Sequence, residues 1–276
     1  MGEMTTMSKV WFITGTSTGF GRQFVEQLLQ AGDKVVATAR KLDAIQDFKA
    51  LAPERAHLAA LDVTNKEQIQ SAVQEAVDVF GKIDIVVNNA GYGLFGMLEE
   101  YTDEQIRKQF DVNVLGVLNV IRATLPVFKS QGSGHYVNFS SFFGAWSMPP
   151  YSIYAASKFA VEGFSEAFET EFASFGIKTT IVEPSVYATA FFADSLDQTE
   201  KKQEYAPLYE AYENGFSNMK IGDPAKAVQF IISAVNSGNP PLRLPVGSQA
   251  AYTIRDAYTK RLEEINTWIE RSAEAD

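Results

Sequence analysis

The stretch Lys9-Val10-Trp11-Phe12-Ile13-Thr14-Gly15-Thr16-Ser17-Thr18-Gly19-Phe20-Gly21 decides how the rest of the chain is read. Its first half is a short apolar run that fits a buried strand. Residues 22–31 follow with Phe24, Val25, Leu28 and Leu29 at helical spacing. Three glycines therefore stand between a strand and a helix. Glycine lets the backbone turn tightly and pass close to a bulky anion, and the free N–H groups at a helix start favour negative charge such as a pyrophosphate. Glycines near a turn can also be mere punctuation. Their place between strand and helix favours the phosphate reading and makes Gly15, Ser17, Thr18, Gly19, Phe20 and Gly21 candidates for dinucleotide contact.

Gly32-Asp33 turns the chain into the β-branched run 34–39, which ends at Arg40, about where a dinucleotide fold presents the residue that meets the ribose. No acidic residue stands there. Arg40 is either an ordinary solvated arginine or a contact for a 2′-phosphate, which would select NADP(H). A third strand is expected over 57–63, a helix over 65–80 and a fourth strand over 83–87, ended by Asn88-Asn89-Ala90-Gly91. Strand and helix alternating at this spacing give a Rossmann-like, doubly wound α/β fold: a parallel sheet of about seven strands with helices on both faces. Such sheets bind ligands at their carboxyl edge, where Asn89, Ala90 and Gly91 fall, although asparagine and glycine also simply make turns.

The chemistry is expected in 138–159, Asn-Phe-Ser-Ser-Phe-Phe-Gly-Ala-Trp-Ser-Met-Pro-Pro-Tyr-Ser-Ile-Tyr-Ala-Ala-Ser-Lys-Phe. Tyr154 and Lys158 are four apart in a helix-compatible run, which puts both side chains on one face. An ammonium beside a phenol favours the tyrosinate and lowers a pKa that is otherwise near ~10. The same pair arises by accident on many helix surfaces. Of the eleven tyrosines, however, only Tyr154 has a lysine at that offset. Ser141 follows a strand-like run and can reach the same substrate oxygen. Asn113 lies in the apolar setting Phe-Asp-Val-Asn-Val-Leu-Gly of a helix expected over 103–127, so it needs partners as a structural or a functional bridge.

Together these residues resemble the short-chain dehydrogenase/reductase family over nearly the whole chain. The matching motifs are Thr-Gly-x-x-x-Gly-x-Gly at 14–21, Asn-Asn-Ala-Gly at 88–91 and Tyr-x-x-x-Lys at 154–158, with Asn113 and Ser141 completing the usual tetrad. The run 88–100 is similar to hydroxysteroid and retinol dehydrogenases. By that resemblance Tyr154 is the general acid/base, Ser141 polarises the carbonyl, Lys158 lowers the tyrosine pKa and holds the nicotinamide ribose, and Asn113 holds a water in a proton relay. Asp62 and Val63 match the family's adenine contacts. Pro184, Val186 and Thr189 fall at the nicotinamide end. The family's usual Pro-Gly is Pro184-Ser185 here, and a Cβ at Ser185 narrows the backbone's options. The resemblance implies an NADP(H)-dependent oxidoreductase, a ketoreductase interconverting a carbonyl and a secondary alcohol. A non-catalytic NADP-sensing protein on the same fold would be expected to show a damaged tetrad, and this one is intact. A dehydratase or epimerase is the third reading.

Phe143, Trp146, Tyr151, Tyr187, Phe191 and Phe192 flank these residues and suggest a bulky, mainly apolar substrate, while some of them must be core. Segment 190–222, rich in aromatics, resembles the family's substrate cover, though its spacing also suits plain helix packing. Asp223-Pro224 should cap a helix to Val235, Leu242 to Val246 reads as an edge strand because of its proline, and 249–272 as a C-terminal helix with an apolar stripe. With 276 residues, 46% hydrophobic, the chain reads as one domain, 1–276. A net charge of −10 argues against nucleic-acid or membrane partners, which need a basic face. Zero cysteines and two histidines leave no metal site and suit a cytoplasmic protein. A homodimer or homotetramer is expected through helices 103–127 and 151–175, by resemblance.

Overall fold

The computed structural model describes residues 8–191, 195–217 and 219–276; Phe192 lies outside the described residues. Val10–Ile13 (β1) is buried at every position, as a strand covered on both faces must be. Its side chains alternate. Trp11 and Ile13 join Phe24, Val25 and Leu28 of Gly19–Ala31 (α1) on one face, whereas Phe12 joins Val36, Val86 and Tyr136 on the other. Two cores result, one on each side of the sheet.

Eight further strands follow in the chain: Lys34–Ala39 (β2), Ala56–Ala60 (β3), Ile85–Asn88 (β4), Gly93–Phe95 (β5), Gly134–Phe139 (β6), Ile177–Pro184 (β7), Leu196–Gln198 (β8) and Arg243–Val246 (β9). Six of them join β1 in one all-parallel sheet in the order β3-β2-β1-β4-β6-β7-β9. The sheet grows outward from β1 in both directions, so a crevice opens at the carboxyl ends of β1 and β4. Pro245 sits in the edge strand β9, where a missing N–H costs no ladder bond on the open side.

Helices Asp47–Leu51 (α2), Lys66–Phe80 (α3), Asp103–Phe110 (α4), Gly116–Gln131 (α5), Ser152–Glu171 (α6), Ala206–Ser217 (α7), Pro224–Val235 (α8) and Ser248–Ser272 (α9) complete the described elements. α1 and α8 cover one face of the sheet, while α3 and α5 cover the other. Caps set their starts: Asn65 accepts from the Gln68 N–H, Thr102 and Gln105 bond each other's backbone, and Asp223 with Pro224 opens α8 as the sequence predicts.

Several boundaries differ from the sequence reading, and one strand pair is new. The third strand stops at Ala60, because the Asp62 carboxylate accepts from Thr64 N–H and hydroxyl and turns the chain out of the sheet. The helix expected over 103–127 runs on to Gln131, and a wide π turn, Asp111–Leu115, interrupts it. By length and composition this 29-residue helix would be long and apolar enough to cross a membrane. Its apolar face is already used, since Val117, Val120, Ile121 and Phe128 are buried in the core beside the sheet. The catalytic helix spans Ser152–Glu171 rather than 151–175, and a separate tight turn follows it, Ala173–Phe175. β5 and β8 form a small parallel pair outside the main sheet, which periodicity did not announce.

The last helix carries its stripe differently from expectation. Ala250 and Ile254 are buried, but Leu262, Ile265 and Ile269 are each 58% exposed and Trp268 57%. Tyr258 still borders Arg243, and from Leu262 onward the stripe is exposed among the described residues.

Candidate active site

A cleft of about 780 Å3 runs along the carboxyl ends of the strands, bordered by the glycine turn, the ends of β2, β4, β6 and β7, and the segment around β8. At its floor the backbone takes space that side chains would fill. Gly15 has φ +71°, and a Cβ there would lie 2.9 Å from the Ala90 Cα; a Cβ at Gly21 would lie 2.2 Å from the Gly15 carbonyl oxygen. Gly21 is thus buried packing under the turn and does not line the cleft, unlike Gly15, Ser17, Thr18, Gly19 and Phe20. No acidic residue occupies the first turn of α1, and its N-cap Thr18 makes no side-chain cap bond. The helix start therefore presents free N–H groups and positive dipole to the cleft, a cradle suited to a phosphate.

Asn89 braces that cradle rather than reaching across it. Its side-chain amide donates to the Thr14 and Gly15 carbonyls, both at 2.9 Å, while the Thr14 hydroxyl accepts from Asn89 and Ala90 N–H at 3.1 and 3.0 Å. Thr14 is a residue that motif reading undervalued. So is the buried Asn88, which donates to Asn138, which in turn donates to Ser165 at 2.9 Å. Polar residues at strand positions with no apolar partner were the available signal.

Arg40, Asp62 and Val63 meet at the far end of the cleft. Arg40 is exposed. Partial burial raises the Asp62 carboxyl, but hydrogen bonds from Thr64 and the Arg40 charge hold it below the ordinary value.

At the other end Tyr154, Ser141 and Lys158 come together, buried to 7%, 5% and 7% exposure. β6 delivers Ser141, and its Oγ accepts from the Phe143 N–H at 3.2 Å, which leaves its own hydrogen free to donate. Burial pushes the Tyr154 phenol up to about 12, and the Ser141 hydroxyl opposes that rise. Lys158 Nζ donates to the Phe139 carbonyl at 2.9 Å and stands 5.7 Å from the Tyr154 ring centre. Burial draws Lys158 down to about 8 against the pull of Glu162. The lowering of Tyr154 expected from Lys158 does not appear here: burial raises the phenol and Ser141 is the group that opposes it. Asn113 sits in the π turn, 1% exposed; its oxygen accepts from Tyr92 N–H at 3.1 Å, and its amide donates to the Tyr92 carbonyl at 2.9 Å and to Ser157 at 3.3 Å. Of the two readings of this asparagine, the structural bridge is present in the geometry. Gly91 lets it approach: a Cβ there would lie 3.1 Å from Asn113 Oδ1 and 3.9 Å from Lys158 Nζ.

Pro184, Ser185, Val186 and Thr189 line the same end, with Thr189 against Gly19. Ser185 needs no glycine: no non-glycine residue among those described has positive φ. The aromatic candidates divide. Phe143, Tyr151 and Phe191 line the cleft, Phe191 with its ring 5.7 Å from that of Tyr154. Trp146 does not line it; it stacks behind Phe143 at 5.5 Å, where the indole fills core. Tyr187 borders the cleft, but its ring packs edge-on to Phe20 at 5.2 Å and against Gly222, so it is largely structural. Met148, Tyr212, Phe216 and Leu196 add to the wall. Tyr92, Lys108 and Asp197 at the mouth were missed; Lys108 Nζ lies 3.7 Å from the Asp197 carboxylate and over the Tyr92 ring.

The segment carrying β8 and α7 is tied down by two acids. Glu100 accepts from Met97 and Lys202 N–H, each at 2.8 Å, from Thr199 at 2.9 Å and from the Tyr209 hydroxyl; Glu99 pairs with Lys202 and Tyr205. Burial raises the Glu100 carboxyl, and these donors nevertheless drive it down to about 2.

Comparison with known proteins agrees with this architecture. The family model for short chain dehydrogenase matches residues 9–200. Oxidoreductase BOA17 of Botryotinia fuckeliana is 36% identical over 248 residues, 88% of this chain and 90% of that protein. A 3-ketodihydrosphingosine reductase of Bacteroides thetaiotaomicron is 33% identical over 250 residues, 87% of this chain and 88% of its own. A short-chain dehydrogenase of Streptomyces avermitilis superposes with TM-score 0.91 at 37% identity, covering 98% of this chain and 100% of that one. ElxO, solved with NADP bound, gives TM-score 0.73 at 28% identity, covering 87% and 97%. A Burkholderia phymatum enzyme solved with NAD gives 0.76 at 26%, covering 90% and 92%. A parallel seven-stranded sheet, a glycine cradle at its switch point and matches of this extent lead to one assignment: the chain belongs to the short-chain dehydrogenase/reductase family of oxidoreductases.

Proposed function

We propose that this chain is an NADP(H)-dependent oxidoreductase that interconverts a carbonyl and a secondary alcohol on a bulky, mainly apolar substrate. One observation carries the reading: Ser141, Tyr154 and Lys158 are buried together where the glycine cradle meets an aromatic wall. The cradle supports a dinucleotide, because its backbone takes room that a Cβ would fill at Gly15 and Gly21. Ser17, Thr18, Gly19 and Phe20 would hold the phosphates, Arg40 the adenosine ribose, Asp62 and Val63 the adenine, Asn89, Ala90 and Gly91 the middle, and Pro184, Val186 and Thr189 the nicotinamide. Once bound, the nicotinamide supplies or takes up the hydride.

The chain's own residues handle the proton. With its phenol held near 12, Tyr154 keeps its proton at neutral pH and can give it to a carbonyl oxygen; in the reverse direction it takes one from the alcohol. Ser141 O–H donates to the same oxygen. Lys158 as an ammonium favours the tyrosinate left behind. Asn113 holds the π turn against Tyr92 and Ser157. Phe143, Tyr151 and Phe191 exclude water and favour apolar surface.

NADP(H) over NAD(H) is supported by the exposed Arg40 and the lack of a carboxylate at Ala39. The Bacteroides relative is by name a reductase of a keto compound, which favours a carbonyl substrate. In this reading residues 1–276 act as one cytoplasmic domain, with 190–222 as the substrate cover. The exposed stripe Leu262, Ile265, Trp268 and Ile269 favours a homodimer or homotetramer, which sedimentation giving a monomer at all working concentrations would exclude. The function is tested by NADPH consumption over steroids, retinals, aryl ketones and sugars; small polar sugars turning over far better than the apolar ketones would overturn the substrate assignment.

A further inference from the structure

One turn beyond Lys158, on the same face of α6, stands Glu162, 5% exposed. Facing it from the end of β7 is Glu183, 0% exposed, with no hydrogen-bond partner for either carboxylate oxygen. Two carboxyl groups in one dry enclosure are unusual, because each charge loses its hydration and repels the other. Neither has a place in the tetrad.

The enclosure is built for them. Arg243 of β9 puts Nε 3.4 Å from Glu162 Oε2 and donates from its other arm to Glu166 at 2.7 Å. Gly144 makes the room: a Cβ there would lie 2.3 Å from Ser140 Oγ and 2.9 Å from Glu162 Oε1. Among the described residues, the charged and titratable groups facing the pair are Lys158 and Glu166 on α6, Arg243 on β9 and Tyr258 on α9. Burial raises both carboxyls, yet their surroundings differ. Glu162 lies between two cations, Lys158 and Arg243, whereas Glu183 has Arg243 and the repelling Glu162.

We propose that Glu162 is a positioning residue for Lys158: its carboxylate is the counter-charge that keeps the buried lysine an ammonium, and Glu183 beside it carries a proton so that the enclosure holds one negative charge. The inference rests on the role given to Lys158 above and adds to it a group outside the tetrad. Burial loosens the proton on Lys158, and the Glu162 charge acts the other way. Burial and the Glu162 charge together keep the Glu183 proton on to about 8, against Arg243.

The test follows Lys158 directly, without cofactor, by NMR of protein carrying 13C at the lysine ε position, with Lys158→Arg assigning the resonance. Parent protein should titrate near 8. Glu162→Gln should move that titration down by about one unit or more, the size expected on losing an adjacent opposite charge. Glu162→Asp should hold the parent value. The alkaline limb of kcat should move to lower pH in Glu162→Gln by the same amount. An unmoved Lys158 titration in a folded Glu162→Gln protein would overturn the proposal. Should that variant not fold, parent protein labelled at the glutamate δ carbon still decides, with Glu183→Gln assigning the resonances: Glu162 ionised and Glu183 protonated at pH 7 supports it, and any other arrangement overturns it. The outcomes separate from those of the proposed function, since a Tyr154→Phe enzyme of full activity would sink the catalytic reading without changing either NMR result.

Discussion

Gly15→Ala should weaken cofactor binding and folding together, and two other glycines show why. At Gly15 an alanine meets two costs. Its φ of +71° is left-handed, worth roughly 1–2 kcal/mol for a residue with a Cβ. The new Cβ would also lie 2.9 Å from the Ala90 Cα, a backbone atom that cannot swing aside, and overpacking of this kind adds about 1–3 kcal/mol. Gly32, φ +94° with nothing within 4 Å, has only the first cost. Gly163, inside α6 with nothing within 4 Å, has neither, and alanine there should stabilise by about 0.5–1 kcal/mol. At about 2–4 °C per kcal/mol for a chain near this size, the melting temperatures should rank Gly163→Ala above parent, parent above Gly32→Ala, and Gly15→Ala lowest. NADPH titration by fluorescence separates turn from scaffold: Gly32→Ala and Gly163→Ala should bind as parent does, and Gly15→Ala about tenfold or more weaker. Parental NADPH affinity in Gly15→Ala, or a melting loss no greater than that of Gly32→Ala, would refute the close-approach reasoning.

Replacing Arg40 by Ala should cut the NADPH over NADH ratio of kcat/KM by roughly ten- to hundredfold, the value of one charge-assisted hydrogen bond, and an unchanged ratio would remove Arg40 from cofactor choice. Glu183 gives a pH signature in stability. Burial first, then the Glu162 charge, raises it from 4.5 to about 8, so the folded state holds a proton that the unfolded state releases, and stability falls as pH rises across that window by up to about 1.4 kcal/mol per pH unit. Thermal melts from pH 6.5 to 8, above the range where buried His135 acts the other way, should fall for the parent and flatten for Glu183→Gln; parallel curves would contradict this. Glu100→Gln removes the charge that gathers Lys202, Thr199 and Tyr209, so KM for substrate should rise several-fold while NADPH affinity holds, and an unchanged KM would detach this anchor from substrate binding.

The fold was legible because its signals are local. A fully apolar β1, a glycine run and a helical stripe in α1 fall within 9–31, and β4 adds the apolar run Ile85-Val86-Val87. Tyr154 and Lys158 were legible because four residues make one helical turn. What sequence could not supply were consequences of tertiary packing. The π turn at Asn113 depends on Tyr92 and Ser157, residues 21 and 44 positions away, and the β5 and β8 pair joins segments about 100 residues apart. Trp146 looked like a pocket residue by proximity in the chain, yet its ring stacks on Phe143 outside the cleft, whereas Tyr187 does border the cleft while packing on Phe20. Glu162 and Glu183 come together only because the sheet register sets β7 beside β6 and β9, which no local pattern announces.

The most direct test of the central claim is turnover by Tyr154→Phe with a carbonyl substrate found in the screen, measured beside its NADPH affinity. The variant keeps the buried ring and loses only the hydroxyl. A positioned acid/base contributes roughly 10² to 10⁴-fold, so kcat should fall by that factor while NADPH binds as in the parent. Carbonyl reduction at near the parental rate would contradict the assignment of Tyr154 as the proton donor.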